Sequence, residues 1–161
     1  MALDLESIDP KIRLLLEHWR AIHPAGGGLP ARQDLDPGAL RSLLSNLWML
    51  DVAHAPLRFR FRLIGDEVRV GGSPARVGMW FDELYGDGRV PPPIESMLTR
   101  VVETRQPDWY RGRPLMPHID QVVELERVIL PMAADGHLVD LLVCATIYRW
   151  ERVYRGLGPR A

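Results

Sequence analysis

Arg127 is the residue of this chain whose chemistry makes the greatest demand on its surroundings. It lies in the run Val122-Val123-Glu124-Leu125-Glu126-Arg127-Val128-Ile129-Leu130. Alternation at period two sets it on one face with Val123, Leu125 and Ile129, while Glu124 and Glu126 point away. A guanidinium on an apolar face needs a partner, since burying a lone charge is costly. One reading makes Arg127 an anion-binding residue that offers its planar fork to a carboxylate or phosphate. The other makes it half of an internal ion pair, with Asp82 or Glu83 as the acid, or an arginine that snorkels to a sheet edge. Trp80, Tyr85, Trp109 and Phe61 are expected to line a pocket with Arg127, with Phe81 and Tyr110 nearby; plain core packing is the alternative for all of these rings.

Other chemistries find less support. The histidines His18, His23, His54, His118 and His137 show no metal-ligand spacing beyond His118-Ile119-Asp120, and two residues do not make a site, so no metal is expected. Ser42, Ser45, Ser73 and Ser96 lack the glycine frame of a nucleophile elbow, and no phosphate-cradling glycine loop ends in lysine. Asp82, Glu83 and Asp87 fit solvated or capping roles. Cys144 is the one cysteine, which excludes an internal disulfide and suits a reduced, buried thiol.

Charge narrows the partners. The formal net charge is −1 over 161 residues, so the basic footprint of a general nucleic-acid binder is missing, although arginine supplies all but Lys11 of the 20 basic residues. The longest apolar run, Leu138 to Ile147, is too short to span a bilayer and contains Asp140. With no signal-like segment before Asp9, the expectation is a cytoplasmic protein with no membrane contact.

The elements that must position these residues are legible from periodicity. Asp9-Pro10 pairs an N-cap acceptor with a first-turn proline. Ile12, Leu15, Leu16, Trp19 and Ile22 then form one apolar stripe. A Gly26-Gly27-Gly28 link follows, and a second short helix is expected from Asp36-Pro37, with Leu40, Leu43 and Leu44 on one side. Leu47 to Ala53 reads as a strand apolar on both faces, as a sheet between core and helix requires. Arg58-Phe59-Arg60-Phe61-Arg62 alternates as a half-buried strand does, and Leu57 to Ile64 should pair antiparallel with the first. Its arginines are expected to keep a wet face soluble or to meet an acidic partner. Ile94, Met97, Leu98, Val101 and Val102 mark the longest middle helix, ending before Pro107. Trp109–Met116, Gln121–Met132 and His137–Trp150 complete five strands, the last two joined through Asp135-Gly136. Val139, Leu141, Val143, Ala145 and Ile147 share one face of the last.

That order resembles a PAS domain, an α+β fold whose five-stranded antiparallel sheet cups a ligand against helices on one face, here with an added N-terminal amphipathic helix. Leu29-Pro30-Ala31-Arg32-Gln33-Asp34-Leu35-Asp36-Pro37, Leu47-Trp48-Met49-Leu50-Asp51-Val52, Phe61-Arg62-Leu63-Ile64-Gly65 and Glu126-Arg127-Val128-Ile129-Leu130-Pro131 resemble a group of short PAS-like proteins of alphaproteobacteria. The likeness covers about residues 29 to 150 and departs from the pattern between Arg69 and Met79. It implies a helix and linker over 1–28, the domain over 29–150 and a tail over 151–161. The implied function is a non-enzymatic sensory or regulatory module that binds a small molecule or a protein partner, its output passing through that partner or a homodimer. The competing readings are a small enzyme using Arg127 and His118 on an acidic metabolite, and an interaction domain with a filled cup. The cofactor is unknown. Haem is disfavoured because the Ile94 helix has no histidine, and photoactive flavin because Cys144 lacks the Asn-Cys-Arg-Phe context. Ile12, Leu15, Leu16 and Trp19 are the expected dimer contact, unless the stripe packs on its own sheet.

Overall fold

The computed structural model describes residues 7–69, 73–115 and 122–150. Helix α1 spans Pro10–Ala21, and the Asp9 carboxylate accepts from the Lys11 amide while Pro10 occupies the first turn, so the N-cap forms as the residue types dictate. Strands β1 (Leu47–Ala53) and β2 (Arg58–Ile64) make an antiparallel hairpin. Helix α2 (Pro92–Thr104) opens on two prolines and closes at Arg105, which takes the left-handed conformation. Strands β3 (Asp108–Gly112), β4 (Val122–Met132) and β5 (Leu141–Trp150) follow. The five strands form one antiparallel sheet in the order β2-β1-β5-β4-β3. This is the α+β architecture expected.

The sheet has two covered faces, and the register assigns each residue to one of them. Phe61, Trp48, Thr146, Arg127 and Tyr110 belong to the face that α2 closes, through the pairs Leu50↔Phe61, Trp48↔Cys144, Arg127↔Thr146 and Tyr110↔Arg127. The opposite face, with Val143, Ala145, Val128 and Glu126, lies under α1, which packs on β4 and β5. Ile12, Leu15, Leu16 and Trp19 are buried there in one continuous core. Two apolar faces are why β1, β4 and β5 read as nearly unbroken apolar runs.

Several boundaries move for local reasons. Strand β5 begins at Leu141 because the Asp135 carboxylate accepts from the His137 and Leu138 amides and holds them in the turn. Strand β3 ends at Gly112, and Met116 lies outside the described residues. The helix expected from Asp36-Pro37 is a turn followed by a 3-10 helix, Arg41–Asn46. Leu40 and Leu43 are buried but Leu44 is exposed, because three residues per turn rotates it off the stripe. Val123 sits at a register irregularity between Val122 and Glu124 and is exposed, so it does not share the face of Leu125 and Arg127.

Two glycines hold close approaches. A Cβ at Gly65 would lie 2.3 Å from the Ser45 carbonyl oxygen, and the Gly65 amide donates to Leu47 at 2.6 Å. Gly136 has φ +80 and its carbonyl accepts from the Leu29 amide at 2.8 Å, tying the glycine link to the β4–β5 turn.

Candidate functional site

Between the sheet and α2 lies a cavity of about 80 Å³. Its walls are mostly apolar, with Phe61 and Trp48 from the β1–β2 hairpin, Phe81 from a 3-10 turn, Ile94 and Met97 from α2, and Leu125 from β4, while Ser73, Thr146 and Tyr148 add hydroxyls. The strands place these side chains by parity, and the three-and-four spacing of Ile94, Met97 and Leu98 turns α2 onto them. Trp48 Nε1 donates to Thr146 Oγ1 at 3.0 Å, so the hydroxyl on the cup floor satisfies the indole N–H.

Arg127 is the charged side chain on that wall. Nη2 donates to Asp108 Oδ2 at 3.4 Å and abuts the Met97 sulfur, while the guanidinium carbon sits 5.3 Å from the centre of the Tyr110 ring. Its Nε is buried and has no hydrogen-bond acceptor. Asp108 is shared, because Arg100 pairs with its other oxygen. Burial pulls the Arg127 guanidinium below its ordinary pKa, opposed chiefly by the Asp108 charge. Burial also pushes the Cys144 thiol up and the Tyr148 phenol up to about 12, so both stay protonated at neutral pH.

The opposite face carries a second polar cluster, one residue along β4. Glu126 is 0 % exposed, and its Oε1 accepts from the Asp9 amide and from Trp109 Nε1, each at 3.0 Å. Its Oε2 lies 3.6 Å from Arg149 and 4.0 Å from Arg111, and Arg111 in turn donates to the Ser7 carbonyl at 3.0 Å. A buried carboxylate therefore receives the N-terminal end of α1.

The five residues expected around one pocket separate. Arg127 and Phe61 line the cavity. Trp109 does not: it pairs with Val128, so its ring falls on the α1 face beside Glu126. Trp80 lies outside the cup at the edge of β2, with Arg58 stacked on its ring at 4.1 Å and Arg60 at 5.5 Å. Tyr85 packs on Phe81 behind the cavity wall with the two rings tilted at 54°, its hydroxyl buried and without an acceptor, and burial raises its pKa to about 12. The acid facing Arg127 is Asp108, not Asp82, which pairs with Arg58 at 2.8 Å, nor Glu83, which caps the Trp80 amide. His118 lies outside the described residues. His18, His23 and His54 bond to backbone groups, and no group of three potential ligands gathers for a metal among the described residues. Ile12, Leu15, Leu16 and Trp19, the expected dimer contact, pack on their own sheet, because β4 and β5 offer them a complementary apolar face.

Sequence reasoning did not mark Asp108 or Glu126. The signal for Glu126 was present, since a strand apolar on both faces leaves its outward acid nowhere wet to go. Asp108 needed the knowledge that β3 pairs with β4.

A family model described as "PAS domain" matches residues 9–146, a span that takes in α1, Asp108, Glu126 and Arg127. No curated protein matches the chain. No helix among the described residues is long and apolar enough to cross a membrane.

Proposed function

This chain belongs to the PAS-domain family, and on that footing we propose that it is a non-enzymatic sensory or regulatory module whose cup responds to a small molecule and whose α1 helix carries the response outward. The observation that supports this reading is the adjacency of Arg127 and Glu126 on β4. One faces the cavity beneath α2, and the other holds the N-terminus of α1. A strand is stiff along its length, so an occupant that draws Arg127 inward also tilts the peptide that carries Glu126. The change reaches Asp9, Trp109 and Arg111 without a separate relay.

A non-enzymatic role fits the groups around Arg127. Asp108 is engaged by two arginines, and the thiol and phenol nearby are protonated at neutral pH, so neither of the latter stands ready to accept a proton.

One observation favours a second reading, an interaction domain with a filled cup. The cavity of about 80 Å³ is well below the roughly 300–1,000 Å³ of most small-molecule sites. Indole resonances separate the two readings, because Trp48 reports on the cup and Trp19 and Trp109 report on the α1 face. In a screen of small polar solutes, the sensory reading expects a binder that shifts Trp48 first and Trp19 or Trp109 with it. Shifts confined to the exposed surface, with all three indoles still, would favour interaction alone.

A further inference from the structure

We infer that the cup is a site for a small monocarboxylate, of the size of acetate or propionate, held by Arg127. This rests on the sensory reading above and names the class of its ligand. Three observations converge on it. Arg127 is 91 % buried at the cavity wall, counting from its 9 % exposure, and its hydrogen bond to an acid is the long one from Nη2 to Asp108, at 3.4 Å. A guanidinium carries five N–H donors, so one long bond to a shared carboxylate leaves donor capacity for an acceptor that can enter. The charge around it is also unbalanced: two guanidinium groups, Arg100 and Arg127, share the single carboxylate of Asp108 among the described ion pairs. A second anion would complete the cluster.

Shape and polarity then choose among anions. At about 80 Å³ the cavity has room for a few small-molecule atoms only. That favours a carboxylate with one or two further carbons over nucleotides and aromatic acids. Phosphate and sulfate carry oxygens all round and would set most of them against Phe81, Ile94 and Leu125, where no donor waits. Thr146 accepts from the Trp48 indole and keeps one hydroxyl hydrogen to donate, too few for an anion with oxygens on every side. A monocarboxylate has one charged end for the guanidinium and one apolar end for those walls.

The test is a titration of the full chain at constant ionic strength with acetate, propionate, acetamide and inorganic phosphate, read by the Trp48 indole resonance and by calorimetry. Acetate and propionate should saturate. The neutral isostere acetamide should bind at least about tenfold more weakly, and phosphate should leave Trp48 unmoved. Arg127→Met should weaken acetate at least about tenfold while preserving the circular dichroism spectrum. Should that variant fail to fold, Ala75→Leu, which fills the rim of the cavity and leaves every charge in place, should abolish acetate binding. Acetamide binding as tightly as acetate, or an unaffected Arg127→Met, would overturn the carboxylate assignment and leave the cup as a receptor for neutral solutes. Failure of all four probes to move Trp48 would overturn both the assignment and the sensory reading on which it stands.

Discussion

Two neighbouring side chains on β4 face opposite ways and meet different demands. Arg127 is held by an acid it must share; Glu126 is surrounded by donors and by two arginines. Removing Glu126 would strand the Asp9 amide and the Trp109 indole and leave Arg111 and Arg149 with Glu124 as their shared acid, so Glu126→Ala should cost about 3 kcal/mol in urea unfolding. Glu126→Gln, which keeps an acceptor, should cost less than half as much. Equal losses in the two variants would mean that the charge, not the hydrogen bonding, holds α1. The buried phenols give a pH dependence of definite sign. Tyr148 and Tyr85 titrate at about 12 in the fold against about 10 when unfolded, so the native state keeps protons that the unfolded chain releases. Their contribution is complete below about pH 10 and falls as pH rises toward about 12. Unfolding free energies measured across that window should decline, and Tyr148→Phe should flatten the decline; an unchanged slope would contradict the assignment. Much of this scale was legible beforehand. Parity put Arg127 in the cup and Phe61 with it, because alternation is a local property. What parity cannot give is the identity of a cross-strand neighbour, which is why Asp108 was missed and why Trp109 was assigned to the wrong face.

At the scale of elements, caps and close approaches carry the fold. Asp9→Ala removes the α1 N-cap acceptor and should cost about 1 kcal/mol. Leu15 is fully buried between α1 and the sheet, and Leu15→Ala should cost about 3 kcal/mol by leaving a cavity. Light scattering on the same variant should give the wild-type mass, since the stripe covers its own sheet; a change in mass would show that Leu15 also serves a subunit contact. Gly65→Ala forces a Cβ into the Ser45 carbonyl and should cost more than Leu15→Ala, because backbone there cannot yield cheaply. Element order and type followed from the sequence closely: β1 runs over Leu47–Ala53 as its pattern indicates, and the Asp9-Pro10 start is where the cap residues put it. The ends that shifted are those set by side chains folding back on the main chain, such as Asp135 at the start of β5, and those outside any periodic pattern.

Across the whole molecule, the sheet is a partition. The α2 side carries a small apolar chamber with one charged wall, and the α1 side carries a helix pinned at its N-terminus to that wall's neighbour. The N-terminal helix and its glycine link are therefore packed into the same core as the sheet, with the Leu29 and Ala133 amides bonding across the link and the β4–β5 turn. The most direct test of this account is amide hydrogen exchange along α1, measured with the cup empty and with it saturated by acetate or by whichever solute moves Trp48. The account predicts that protection of the α1 amides changes on loading, and that Glu126→Gln diminishes that change. Protection altered only in α2, with α1 identical in the two states, would contradict it.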